Sequence, residues 1–389
     1  MFSAERSAKI LALETLRSSR IITLVTSVRQ GLAASLADEQ VRVLYDHLLR
    51  IRGESERIPR LDLFIVSNGG DSTIPWRLIS AFREFADRIG VLVPYRAYSA
   101  ATLTAIGADE IIMGPFGQLG PIDPTVQNDF NPLDERTNQR IGISVEDVKS
   151  YLQFIKTTAE IKGESDVMRA VEGLVAKVHP LALGNVERFI QQSRLIAKKL
   201  LKTHMKDDAQ EGAIENIVDH LASKLYFHGH PISRAEAADE LHLPMIVKSN
   251  REMDKTLWSL YLEYEALFEM DQAYAPTIEL AKLRVAAPGF QQDYQTAYNA
   301  AIAAGANQVQ AIQLATTHAQ GMQPIGIAYD ATLIAAAVES SGLSDVLRLK
   351  QRSELLPEVA PGQMTLRQEI LEQAWLRSEP PASGQTAEA

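Results

Sequence analysis

Within its first 113 residues the chain alternates short β-branched runs with segments of helical period, and that order leaves few folds open. Ile21 to Ser27 (IITLVTS) and Leu61 to Ser67 (LDLFIVS) are apolar almost without a break, as strands buried on both faces are. Between them, Glu39 to Ile51 sets Val41, Val43, Leu44, His47 and Leu48 at helical spacing. The second run gives way to the turn Asn68-Gly69-Gly70-Asp71-Ser72. A helix with Ile74, Leu78, Ile79, Phe82 and Phe85 on one face follows it. Gly90 to Pro94 (GVLVP) and Glu110 to Met113 (EIIM) complete four strands. Strand–helix–strand repetition predicts an α/β unit, a parallel sheet with flanking helices.

From about Ile143 to Lys224 the pattern turns helical. Val145, Val148, Leu152 and Ile155 mark one helix, and Leu181 to Lys202 and Asp207 to Leu225 two more. Ser233-Arg234-Ala235-Glu236 reads as a capping box, and Met245 to Val247 as a return to the sheet. The Ala/Gln-rich remainder has helical pattern over Asn299 to Gln320 and Met364 to Ser378, which predicts a mainly helical C-terminal region. Pro380 to Ala389 has the composition of a disordered tail. These shifts suggest three units: residues 1–265, the helical region 266–378, and the tail 379–389.

Charge and residue usage narrow the function classes. The balance of 39 basic against 49 acidic residues, 39 − 49 = −10, disfavours nucleic acid and anionic membrane surfaces as partners. Without a single cysteine, disulfides, thiolate metal sites and a cysteine nucleophile are excluded. No P-loop GxxxxGK[ST] occurs, and no cofactor is implied. Charges are scattered through Met1 to Arg20, so no secretory signal is visible, and runs such as 333–338 are too short to span a bilayer. The expectation is a cytoplasmic protein with no integral membrane segment, which leaves room for peripheral membrane association.

Three pieces of the first third carry chemistry. The Gly69-Gly70 turn follows a buried strand, where glycines permit a tight turn that leaves backbone N–H groups exposed at the sheet's C-terminal edge. Ser99, in Tyr98-Ser99-Ala100-Ala101-Thr102, stands where a helix of small residues begins. A serine there has its hydroxyl near free N–H groups that favour developing negative charge, although the same position suits a simple N-cap. The third piece is the loop Gly114 to Pro124 (GPFGQLGPIDP), dense in Gly and Pro just beyond the fourth strand.

With those segments in their order and spacing, Leu61 to Pro124 resembles the ClpP/crotonase superfamily. The likeness is greatest to the serine dehydrogenase proteinases, relatives of signal peptide peptidase A. VSNGG, VPYRAYSAATLTAIGADEIIMGP and LGPIDP are the matching runs, and a weaker likeness continues to His230-Pro231-Ile232-Ser233-Arg234-Ala235-Glu236-Ala237. The resemblance covers roughly Arg20 to Asn250. It departs at Ala101, where relatives often carry Gly. It implies a ClpP/crotonase-like fold, a serine peptidase with Ser99 as nucleophile, and the N–H groups of Gly70 and Ala100 as oxyanion hole. It also implies a protein or peptide substrate and a homo-oligomer.

The general base stays open. Where ClpP has its histidine this chain has Asp123, so a triad of that layout is absent. Signal peptide peptidases resemble a Ser-Lys dyad with the lysine about 50 residues downstream on a helix. Lys149 lies at that distance, at the edge of the Val145–Val148–Leu152 stripe, where desolvation lowers an ammonium pKa. Lys156 is a lesser candidate on the same stripe. His228 and His230 compete, since imidazole serves as a base near neutrality without perturbation. No carboxylate pattern beside them supports a zinc site. Two other readings stand beside the peptidase: a catalytically idle ClpP-like scaffold for assembly or partner binding, and a crotonase-like acyl-CoA enzyme.

Overall fold

The computed structural model describes every residue except 1, 124, 127, 135–139, 162, 225–228, 287, 322–326, 358–363 and 381–389. Most of the expected disordered tail therefore lies outside the described residues. In chain order the elements that frame the site are α1 (Ala4–Arg17), β1 (Arg20–Thr26), α2 (Asp38–Arg52), β2 (Ile58–Val66) and α3 (Ile74–Phe85). Then come β3 (Ala86–Val93), β4 (Arg96–Ala97), α4 (Ala100–Ile106), β5 (Glu110–Met113) and β6 (Gln118–Leu119). The middle of the chain gives α5 (Val145–Gln153), α6 (Pro180–Leu201), β7 (Ile232–Ser233), α7 (Arg234–Asp239), β8 (Ile246–Val247) and α8 (Arg251–Phe268). After α9 (Pro276–Ala286), α10 (Pro288–Ala303) and α11 (Gln308–Gly321) the chain ends in β9 (Ala328–Ser340), β10 (Leu343–Pro357) and β11 (Met364–Ser378).

The eight-stranded sheet runs β8-β5-β3-β2-β1-β9-β10-β11. From β8 to β1 every pair is parallel; from β1 outward the strands are antiparallel. The parallel strands are apolar throughout because both faces are covered. On one side α2, α3, α4 and α6 bury Leu44, Leu48, Leu78, Ile79, Phe82 and Leu200. On the other, α1 and α8 bury Ile10, Leu13, Leu257, Leu260, Tyr264 and Phe268. A smaller sheet, β7-β6-β4, sits beside the C-terminal ends of the parallel strands.

The expected strands, the helices on either side of the turn at Gly69-Gly70, the return at Ile246–Val247 and the capping box at Ser233 are all present. The mainly helical C-terminal region is corrected. Its first part is helical (α9 to α11), but residues 328–357 and Met364–Ser378 are long antiparallel strands. Ala, Gln, Glu and Leu are good helix formers, but propensity yields to tertiary context, and without these strands β1 would be a buried strand with an open edge. Pairing of Thr23 to Thr26 with Glu339 to Ala336 closes it.

Two buried polar clusters lock the added strands to the N-terminal unit. Glu339, on β9, accepts from Arg6 Nε (2.8 Å) and Nη2 (2.9 Å), Tyr264 Oη (2.7 Å) and Ser344 Oγ (2.5 Å). His47, on α2, is fully buried between Ser340 Oγ (2.9 Å from Nδ1) and Asp345 Oδ2 (3.1 Å from Nε2). Asp345 also pairs with Arg377, which reaches Asp46.

Candidate active site

The site begins where β2 ends. Ser67 forms a parallel bridge with Ala97, donating N–H to Arg96 O (2.9 Å) and accepting from Tyr98 N–H (3.0 Å). Its hydroxyl oxygen accepts from Thr26 Oγ1 (2.8 Å) and from the Gly69 N–H (3.0 Å). After Asn68, the following two residues must be glycine. Gly69 has φ +97°, and a Cβ there would lie 2.7 Å from Tyr98 O, 2.8 Å from Ser99 Cβ and 3.0 Å from Ala100 N. A Cβ on Gly70 would stand 2.3 Å from Leu36 O. The turn is thus pressed against Ser99 on one side and Leu36 on the other.

That packing sets the direction of the amides. Leu36 donates to Gly69 O (2.8 Å) and accepts from Asp71 N–H (2.9 Å), so the intervening Gly70 N–H points away from Leu36. Among the described residues it meets no acceptor. Nor does the Ala100 N–H, which opens α4 and has no intrahelical partner.

Ser99 precedes α4 with φ 52° and ψ −114°, a backbone state costly for a residue with a Cβ, and its side chain makes no capping hydrogen bond. The N-cap alternative is therefore set aside. The strained residue is held by neighbours: Ala101 N–H donates to Tyr98 O (2.9 Å) and Leu103 N–H to Ser99 O (3.0 Å). Ala101, where relatives often have Gly, is fully buried with its methyl accommodated.

The Gly/Pro loop is fastened behind the nucleophile. β4 and β6 pair in parallel, Arg96 with Gln118 and Ala97 with Leu119, and β7 adds Ile232 against Leu119. Thr102 Oγ1 lies 2.7 Å from Ala97 O and accepts from the Gly120 N–H (3.0 Å), which ties the loop to α4. Tyr98 Oη donates to Gln118 Oε1 (2.6 Å), and burial pushes its phenol pKa up. Ser193 Oγ donates to Ile122 O (2.7 Å), while Asp123 is buried. Thr102 and Ser67 escaped the sequence reading: a buried threonine in an apolar helix carries no distinguishing signal.

Ser99, Gly70 and Ala100 are brought together; no described side chain reaches Ser99 Oγ at hydrogen-bond distance. Lys149 belongs to α5, which packs on α6 in a separate small core with Ile143, Val186 and Ile190, but its side chain lies outside the described residues. Lys156 is exposed in the π-helical turn after α5. His228 lies outside the described residues. His230 Nε2 is engaged with Glu236 Oε1 at 2.7 Å.

Residues 2–141 match the model of the ClpP-like SDH-type serine proteinase family. Over those residues, well under half of its length, the chain is similar to this family. The match starts earlier and stops sooner than the resemblance read from the motifs, and it contains Gly70, Ser99 and Ala100. An uncharacterized protein of Methanocaldococcus jannaschii is 35% identical over 82 residues, 21% of this chain and 28% of that protein. A second uncharacterized protein of the same organism is 28% identical over 122 residues, 30% of this chain and 43% of its own length. The chain thus spans less than half of either relative. Among the described residues no helix is long and apolar enough to cross a membrane, and no metal-ligating cluster occurs.

Proposed function

We propose that the chain is a serine peptidase that cleaves flexible protein or peptide segments through an acyl-enzyme on Ser99, without ATP of its own. One observation carries the reading: an uncapped serine in a strained backbone state is packed against a Gly-Gly turn, and two neighbouring amide N–H groups meet no acceptor among the described residues. Ser99 Oγ adds to the peptide carbonyl, its proton passes to a base, and the N–H groups of Gly70 and Ala100 hold the oxyanion. Collapse breaks the C–N bond as the amine takes up that proton, and water then hydrolyses the ester. The base is Lys149, with His228 and His230 as alternatives, and the protomers assemble as a cytoplasmic homo-oligomer.

The absence of a described hydrogen bond to Ser99 Oγ favours a second reading, an idle ClpP-like scaffold that mediates assembly. A fluorophosphonate probe separates the two. Covalent labelling of the wild type that vanishes in Ser99→Ala supports the peptidase. An unlabelled but folded wild type supports the scaffold.

A further inference from the structure

The eight-stranded sheet has one short and one long edge. β8 at one end is two residues long, whereas β11 at the other runs for fifteen, and no described strand pairs with its outer side. A row of unpaired N–H and C=O groups of that length is a template for another strand, and natural edges are usually blunted by Lys, Pro or a bulge. A bulge is present: Lys350 pairs with Glu372 and Gln351 with Ile370, so Leu371 is an extra residue on β11. It divides the strand and leaves Met364 to Ile370 as a regular stretch without Lys or Pro.

We infer that this stretch pairs antiparallel with the same stretch of a second copy, about a two-fold axis through Gln368. Only a partner with one long edge of its own closes at two copies, and the chain itself is such a partner. Charge fixes the register. Centred on Arg367 or on Glu369, the axis would set like charges directly opposite each other. Centred on Gln368, it sets Arg367 against the second copy's Glu369, and Leu366 against its Ile370, at both ends of the pairing. Arg367 and Glu369 are more than half exposed, and Ile370 is 53% exposed. The pairing also continues a row already present within each copy. Asp330 on β9 ion-pairs with Arg352 on β10 (2.7 Å), and Arg352 stands opposite Glu369. Glu354 stands opposite Arg367. Across the axis the signs therefore alternate strand by strand, from Asp330 through Arg352 and Glu369 to Arg367 and Glu354 of the second copy.

The test exploits the self-pairing. Molar mass is measured by light scattering for the full chain, for Glu369→Arg, for Arg367→Glu, and for an equimolar mixture of the two variants. Each variant alone sets two like-charged contacts across the axis, so its mass is expected to fall to half the wild-type value. In the mixture, arginines of one chain face glutamates of the other, and the wild-type mass returns. Thermal unfolding midpoints matching the wild type show that the variants are folded. A monomeric wild type, a mass unchanged in both variants, or variants that dissociate without recovering on mixing would each overturn the inference. None of these readings depends on Ser99, so they stand apart from the peptidase question.

Discussion

A serine ahead of a helix ordinarily folds its hydroxyl back onto the second or third amide of the first turn. Ser99 instead spends backbone strain to keep its hydroxyl uncommitted, at a cost of roughly 1–3 kcal/mol for such a conformation. The strain persists because the turn at Gly69 leaves no room for retreat: even a Cβ there would lie 2.8 Å from Ser99 Cβ and 3.0 Å from Ala100 N. Gly69→Ala, which forces a Cβ to within 3.0 Å of backbone atoms at φ +97°, should therefore cost stability as well as chemistry. A displacement of about 1 Å at the site costs on the order of 10²-fold in rate. The fluorophosphonate labelling rate is expected to fall by at least that factor, and the thermal midpoint to fall with it. Ala101→Gly, the change toward the residue common in relatives, should leave labelling nearly unchanged and lower stability by about 0.5–1 kcal/mol, the usual penalty of Gly in a helix.

At the scale of elements, the decisive join is β9 against β1. It places Glu339 where α1, α8 and β10 all contribute donors, so four segments, β9 included, share one buried carboxylate. Glu339→Ala would remove the carboxylate that the buried Arg6 guanidinium pairs with, and breaking a buried pair costs about 3–5 kcal/mol. Urea unfolding should show that loss. Arg6→Ala in the same chain should recover part of it, because the two side chains couple directly. Elsewhere Thr102 shows how little an element needs to be tied down: one hydroxyl connects α4 to the loop that buttresses Tyr98.

Across the whole molecule, stability should fall on acidification in two stages. His204 sits under the end of α4 with Nε2 2.9 Å from Ile106 O, and burial holds its pKa below the ordinary imidazole value. A neutral form favoured in the fold means the unfolded chain binds more protons just below pH 6.5. Stability is thus complete above that pH and declines as pH falls toward the folded value. Asp109, Glu110 and Asp345 form the second stage. Burial alone would raise their pKa values, but hydrogen bonds from Arg83 to Asp109, from Arg17 to Glu110 and from His47 and Arg377 to Asp345 outweigh it. Their contribution is present above about pH 4, the ordinary carboxylate range, and is lost below it. Glu14, which burial raises, opposes them. Thermal midpoints between pH 8 and pH 3 should fall in these two windows, and His204→Gln should flatten the upper one.

The parallel half of the fold was legible because its code is local. A strand buried on both faces must be apolar at nearly every position, and each flanking helix must show its stripe, so Ile21 to Met113 declares itself. Gly69-Gly70 and Ser99 were legible for a related reason: a backbone that must turn tightly admits few residue types. The sequence by itself therefore determined the α/β unit, and it singled out Ser99, Gly70 and Ala100 as the candidate site. Met364 to Ser378 was read as helix because its residues suit one, and only the open edge beyond β10 made it a strand. Which candidate base lies nearest Ser99 depends likewise on segments distant in sequence. Non-local pairing, edge closure and the meeting of remote side chains are decided by what the rest of the chain leaves uncovered, and no window of sequence contains that information.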